Sequence, residues 1–383
     1  MTAAARHATH PARRRLTIGI DARAAAAGGE GGSRVVCELL RALAARDDPH
    51  RYVLYTRDVW DEPLGARFAW RAFASPDPLW HVRVAGAASR GCDVLLSTNS
   101  YLPAWFARVP VAPMVFDMVA FDPALRPQRR SGLIERATLR PAVRRSAALI
   151  AISQATADDL AARYPVARGK TVVAPLAAAP VLLTDVPAAT ELPPGVPADG
   201  FILAVGTLEP RKNLPRLVAA YRRLAPALQD AHPLVITGRL GWEAGETVAA
   251  LDSLGTRAIR TGFVPDEQLA LLYRRCALFA YPSLGEGFGL PVLEAMAAGA
   301  PVLTSDRSSL PEVGGDAAAY CDPTDERAIA AALQALLGDP ARRAQLAAAG
   351  PLRAAEFSWD ETARIVLETL ERIARASPLR SLT

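Results

Sequence analysis

Short apolar runs rich in β-branched residues punctuate the chain, and most show no polar alternation. LTIGI (16–20), YVLYT after Arg51, DVLLS (93–97), APMVF (112–116), ALIAI (148–152) and TVVA (171–174) lie in the first half. FILAV (201–205), LVITG (234–238), AIRTG (258–262), LFAY (278–281), PVLTS (301–305) and AAAYC (317–321) lie in the second. A strand without alternation is a strand covered on both faces. Longer Ala-, Leu- and Arg-rich stretches with helical spacing separate many of them, at 33–46, 128–147, 154–163, 213–227, 244–254, 266–275, 290–298 and 325–337. Strand and helix in alternation predict an α/β class of parallel, doubly wound sheets with helices on both sides.

A chain of 383 residues has room for two such sheets, and at 51% hydrophobic it can bury a core in each. The stretch APVLLTDVPAATELPPGVPADG (179–200) carries five prolines and little periodicity, so it reads as a linker. The expected organisation is a loose basic leader at 1–15, a first Rossmann-like domain at 16–180, a linker at 181–199, a second Rossmann-like domain at 200–357, and a C-terminal helix at 358–383. Two doubly wound domains joined in this way are expected to face one another across a cleft, at the carboxyl ends of the strands where such sheets take ligands.

Composition narrows the setting. Cys37, Cys92, Cys276 and Cys321 are far apart, with no CxxC or metal-ligand spacing, which fits a reducing cytoplasm and no metal site. No apolar run reaches the roughly 18 residues needed to span a bilayer. The leader MTAAARHATHPARRR lacks an apolar segment and is not expected to be a signal peptide. Net charge is a mild +5, and no nucleic acid is expected as a partner. Lys170 and Lys212 are the only lysines, so each invites a question. His7, His10, His50, His81 and His232 match no motif.

GTLEPRKN (206–213) follows the strand FILAV and precedes an amphipathic helix. Gly206 suits a sharp turn there. Arg211 and Lys212 then stand beside a helix N-terminus, whose free N–H groups carry partial positive charge. Together they suit a multiply charged anion such as a diphosphate; the plainer reading is an exposed basic pair. LFAYPSLGEGFGLPVLEAMAAGAPVLTS (278–305) reads as strand, glycine-rich turn, helix, strand. Pro291 suits the helix start and Gly299 its end. Glu286, Gly287, Phe288, Gly289 and Leu290 enter the helix, and Glu294 lies about one turn in. Glycines let a ligand approach the backbone. Glu294 suits two ribose hydroxyls and Glu286 the hydroxyls of a sugar. The plainer readings are a helix-dipole partner for Glu294 and a solvated loop acid for Glu286.

The run TGFVPDEQLALLYRRCALFAYPSLGEGFGLPVLEAMAAGAPVLTSDRSSLPEVGGDAAAYCDP (261–323) resembles the donor domain of the family 4 glycosyltransferases, with Glu286 and Glu294 as its E-x7-E element. VGTLEPRKN and AISQATADDL (151–160), which contains Ser153, are similar to further blocks of that family, especially its mannosyltransferase-like branch. The resemblance is dense over about 200–340 and continuous but weaker over 16–180. It implies a GT-B fold and transfer of a hexose, with retention and without a metal or other cofactor. The co-substrate would be a nucleotide-diphosphate sugar, first guess GDP-mannose, and the acceptor a glycan or lipid-linked molecule in cell-envelope synthesis. It implies Arg211 and Lys212 at the diphosphate beside Gly206 and Thr207, Glu294 at the ribose, and Glu286 with Gly287, Phe288 and Gly289 at the donor sugar. It also implies that the C-terminal helix crosses back to the first domain.

The chain departs from the family pattern in three places. Thr207 stands where many relatives carry an arginine, and Arg211 is expected to supply that charge. The loop after the first strand is GGEGGSRV (28–35), with Gly31, Gly32, Ser33 and Arg34 suited to lining the diphosphate; it is neither GxGxxG nor a P-loop. Phe116-Asp117 replaces the common His-Asp pair and takes a histidine out of the catalytic set. The segment 124–146 holds seven arginines against one glutamate. It reads either as a solvated helix or as a surface for an anionic membrane or phosphorylated lipid at the inner face of the plasma membrane. Pro141 is expected to break or kink it. Alternatives of a different class are a non-catalytic nucleotide-sugar- or glycan-binding subunit, and a sugar-nucleotide epimerase on the same fold.

Overall fold

The computed structural model describes residues 14–27, 31–98, 100–125, 128–184 and 186–377, apart from the side chains of Arg129 and Ser131. Most of the expected leader, the GGE of the glycine-rich loop at 28–30, and Arg126 lie outside the described residues.

Twelve of the strands come from the apolar runs. The first sheet contains β1 (Thr17–Asp21), β2 (Arg51–Thr56), β3 (Phe68–Ala72), β4 (Val94–Ser97), β5 (Val111–Val115), β6 (Leu149–Ala151) and β7 (Thr171–Val173), in the order β3-β2-β1-β4-β5-β6-β7. The second contains β8 (Ile202–Val205), β9 (Leu234–Thr237), β10 (Ala258–Gly262), β11 (Leu278–Tyr281), β12 (Val302–Ser305) and β13 (Ala319–Cys321), in the order β10-β9-β8-β11-β12-β13. β1 pairs in parallel with both β2 and β4, and β8 in parallel with both β9 and β11. Each sheet therefore reverses its winding beside its first strand, which makes both doubly wound. β4, β5, β9, β11 and β12 are buried along their whole length, as runs without alternation require.

By its internal contacts the chain forms two compact units. The smaller comprises Met1–Met114, Pro141–Leu149 and Ala363–Thr383, and the larger Val115–Arg140 and Ile150–Thr362. Trp80, Val84 and Leu95 pack in the core of the smaller unit, and Ile202, Leu217, Leu234, Leu278 and Leu333 in that of the larger.

The helix Trp359–Ala376 belongs to both units in turn. Its start is held in the larger unit, where the Trp359 indole N–H donates to the Ala178 carbonyl at 3.1 Å. In the smaller unit Val366, Leu367, Leu370 and Ile373 are buried at helical spacing. There His50, fully buried, accepts the Leu16 N–H on Nδ1 at 3.1 Å. That bond leaves Nε2 as the protonated nitrogen, which donates to Glu371 at 2.8 Å.

Some elements differ from expectation. The helix Arg129–Arg145 continues through Pro141, so the expected break is not made. The expected helix at 213–227 is two, Leu214–Tyr221 and Pro226–Ala231. The edge strand β3 and the helices Leu79–Gly91 and Pro340–Ala354 were not anticipated.

Candidate functional site

The larger unit gathers its charged chemistry at the carboxyl ends of β8 and β11. After β8 the chain leaves through Gly206, at φ 135. A Cβ on neighbouring Gly238 would stand 2.1 Å from the Gly206 carbonyl oxygen, so the strand ends can approach this closely only as glycines. Leu208 bridges to Leu240, and the methyl of Thr207 lies over Gly241. The chain then makes a 3-10 turn, Pro210–Lys212. Asn213, at φ 62, locks the turn: its amide nitrogen donates to the carbonyls of Pro282 and Pro323 at 2.9 and 2.7 Å.

That turn aims Arg211 and Lys212 at one carboxylate. Glu286 Oε1 accepts from Lys212 Nζ at 2.8 Å, from the Tyr281 hydroxyl at 2.9 Å and from Ser283 Oγ at 2.7 Å. Glu286 Oε2 accepts from the Arg211 guanidinium, which also pairs with Glu209. Burial alone would raise the Glu286 pKa, but Arg211 and Lys212 outweigh it and hold it at about 2. Burial lowers the Lys212 pKa, with Glu286 opposing. It raises that of Glu209, with Arg211 opposing. The four side chains balance in formal charge. Two guanidinium or ammonium groups in so dry a place can take up a multiply charged anion when their counter-ions adjust.

The loop that carries Glu286 is fixed from several sides. Ser308 Oγ accepts the Glu286 N–H at 3.0 Å, and Ser309 Oγ lies 2.8 Å from the Phe288 carbonyl. The Gly287 carbonyl accepts from Ser153 Oγ at 2.6 Å and Thr156 Oγ1 at 3.1 Å. A Cβ on Gly287 would stand 1.8 Å from the Phe116 carbonyl oxygen. The structure thus brings Ser153, Phe116 and Asp117 to this loop. Asp117 accepts the Val119 N–H at 3.0 Å; burial raises its pKa, with Arg211 opposing.

The other expected residues take different places. Phe288 is buried edge-on against Phe357, with ring centres 5.8 Å apart. Gly289, at φ 106, leads into the helix Leu290–Ala297. Glu294 is buried within that helix, its Oε2 accepting from the Tyr273 hydroxyl at 3.1 Å. Gly31, Gly32, Ser33 and Arg34 belong to the smaller unit, where Ser33 Oγ donates to the Ala24 carbonyl at 2.6 Å. The sequence reading passed over Glu209, Tyr281, Ser283, Thr156 and Ser309. All five stand inside the stretches quoted above, so their position was a signal. A pocket of about 380 Å³ beside the turn, lined by Pro210, Asn213, Arg216, Glu243, Glu246 and Leu284 among others, had none. Among the described residues no group of three or more His, Cys, Asp or Glu side chains is gathered to hold a metal ion.

Residues 195–353 match the family profile of the group 1 glycosyl transferases, and residues 29–178 that of glycosyltransferase family 4. Residues of the turn, the Glu286 loop and the helix with Glu294 all fall within the first match. The sucrose-phosphate synthase of Thermosynechococcus elongatus superposes with a TM-score of 0.74 at 20% identity, covering 95% of this chain and all of that one. HepE of Anabaena, solved with UDP and glucose, superposes at 0.71 and 19% identity, over 93% of this chain and all of that one. Two parallel-sheet Rossmann-like domains with these neighbours define the GT-B fold. The O-antigen chain mannosyltransferase B of Escherichia coli is 45% identical over 164 residues, 42% of this chain and 43% of that protein. The matched stretch thus spans less than half of that relative's length. The chain belongs to the family 4 glycosyltransferases.

Proposed function

We propose that the protein transfers a hexose from a nucleotide-diphosphate sugar to a glycan or lipid-linked acceptor in polysaccharide or glycolipid synthesis. The observation that carries this reading is the convergence of Arg211 and Lys212 on the Glu286 loop, ahead of the helix that bears Glu294. Arg211, Lys212 and the N–H groups of Leu290–Ala297 take the diphosphate beside Gly206 and Thr207, and stabilise charge as it departs. Glu294 takes the ribose; Glu286, with Gly287, Phe288 and Gly289, faces the donor sugar. The acceptor oxygen bonds to the anomeric carbon, the bond from that carbon to the phosphate oxygen breaks, and the departing oxygen takes the acceptor's proton. In this reading the sugar is transferred with retention and no metal ion takes part. Mannose is the first candidate, supported by the name of the Escherichia coli relative; UDP in the HepE structure supports the nucleotide class but favours another base.

The helix Arg129–Arg145 presents Arg130, Arg136, Arg140 and Arg144 together with exposed Leu133 and Ile134. This composition supports contact with an anionic membrane surface, at the inner face of the plasma membrane in our reading. No helix among the described residues is long and apolar enough to cross a membrane. A thermal-shift screen of the whole chain against GDP-mannose, UDP-glucose, GDP and UDP, with EDTA present, tests the donor. Binding of one nucleotide at 100 times its Kd stabilises by about 2.7 kcal/mol. No shift with any of them, or transfer that stops in EDTA and returns with Mn²⁺, overturns the reading.

A further inference from the structure

Lys212 is buried, and two acceptors hold its ammonium. One is Glu286; the other is the Tyr281 hydroxyl oxygen, 2.5 Å from Nζ. A phenol has one proton, and here it is committed: the Tyr281 O–H donates to Glu286 Oε1 at 2.9 Å. Its oxygen is therefore left facing the ammonium as an acceptor. Lys212, Tyr281 and Glu286 form a closed triangle with one polarity, in which no proton can be rearranged without breaking a bond. Ser283 adds a third donor to the same Glu286 oxygen at 2.7 Å. The phenol itself is fixed by its ring. Tyr281 stacks on Phe279 with ring centres 5.7 Å apart, and Nζ of Lys212 lies 5.0 Å from the Tyr281 ring centre. Tyr281 ends β11, so the sheet sets the height of its hydroxyl.

A lysine is a flexible point charge on four rotatable carbons. Its value against a diphosphate depends on where that charge stands when the anion arrives, because misplacement of about 1 Å can cost two orders of magnitude. We propose that Tyr281 is a positioning residue, which holds the Lys212 ammonium in place and keeps Glu286 as its counter-ion, with Ser283 in support. This rests on the reading of Lys212 as the cation of a diphosphate site.

The test uses the whole chain and two readouts. Calorimetry with inorganic pyrophosphate reads the cation site without any sugar chemistry, and turnover with the donor from the screen reads transfer. Tyr281→Phe keeps the ring and its stacking but removes the hydroxyl. It is expected to weaken pyrophosphate about tenfold at pH 7, by more at pH 9, and to lower kcat further than it raises KM. The basic limb of the pH profile is expected to move to lower pH, because the ammonium loses an acceptor. Ser283→Ala is expected to shift the same limb less. Leu333→Ala, which opens a cavity in the core of the same unit without touching a polar group, is expected to lower the melting temperature and leave the limb in place. Wild-type affinity and an unmoved limb in Tyr281→Phe overturn the proposal, as does an equal movement of the limb in Leu333→Ala. If Tyr281→Phe does not fold, an unmoved limb in Ser283→Ala overturns it. A wild-type protein that binds pyrophosphate but transfers no sugar removes the transfer reading and leaves the positioning role standing. One that binds no pyrophosphate removes both.

Discussion

Glu286 was read from the sequence as a hydroxyl-binding acid, and in the structure its carboxylate is engaged by Arg211, Lys212, Tyr281 and Ser283. Both are compatible only if the carboxylate turns from its cations when a donor arrives. Its pKa, lowered from 4.5 to about 2, makes it a stabilising group above pH 4.5, and that contribution is lost as pH falls toward 2. Glu286→Ala leaves two buried cations with fewer counter-charges and is expected to cost about 3–5 kcal/mol at pH 7 in denaturant unfolding. Glu294→Ala is expected to weaken nucleotide and nucleotide-sugar alike, by roughly 1.5–3 kcal/mol in calorimetry. Stability unchanged in Glu286→Ala would mean the quartet does not form in solution. Asp21, at the end of β1, has the opposite sign. It is fully buried, one of its carboxylate oxygens has no partner, and burial, opposed by Arg23, raises its pKa to about 6. Between pH 3.8 and about 6 the folded state keeps this proton and the unfolded chain does not, so stability falls as pH rises. Asp21→Asn is therefore expected to stabilise the protein by about 2–3 kcal/mol at pH 7 and by little at pH 4. An equal effect at both pH values would contradict this account.

Strands and turns were read more surely than the helices around them. Runs such as LFAY and PVLTS announced β11 and β12 because both faces are covered, and burial on both faces leaves a one-line signature in sequence. β3 has no such signature: FAWRA is an edge strand, mostly exposed, and it exists because β2 offers it a partner in register. The helix Leu79–Gly91 did carry a pattern, with Trp80, Val84, Ala87 and Ala88 on one side, but alanine is too common in this chain to stand out. At the site, glycines, charges and Ser153 were visible, while most of the other hydroxyls that hold the Glu286 loop were not. Thr156, Ser283 and Ser309 matter through carbonyls and a carboxylate that only folding brings near. Gly238 shows how much a turn can depend on an unremarked residue. With φ at 145 and a Cβ 2.1 Å from a backbone oxygen, Gly238→Ala is expected to cost on the order of 3 kcal/mol or more in unfolding experiments. Gly245→Ala, with open space around its Cβ, is expected to change stability by no more than about 1 kcal/mol. Similar values for the two would refute the close approach of β8 and β9.

Taken whole, the chain bears a net charge of only +5, yet the helix Arg129–Arg145 concentrates arginine around exposed Leu133 and Ile134. If that face meets lipid, the protein is expected to sediment with phosphatidylserine-containing vesicles at low salt and to be released at about 0.5 M salt, where the Debye length is a few ångströms. Equal recovery with purely zwitterionic vesicles would dismiss an electrostatic contact. Arg136→Glu with Arg140→Glu is expected to abolish sedimentation while leaving pyrophosphate binding as it was.

The division of the terminal helix between the two units has a consequence for how the polypeptide is made. Most of the smaller unit, up to Met114, is translated ahead of the larger one, but the unit also takes in the helix from Ala363 onward. Everything from Ile150 to Thr362 emerges in between, on the order of tens of seconds at about 5–20 residues per second. During that interval the groove that will receive Val366, Leu367, Leu370 and Ile373 is open, and His50 waits for Glu371. The part synthesised first is finished after the part synthesised second, which exposes a nascent chain of this kind to chaperones and to its own neighbours for as long as translation lasts.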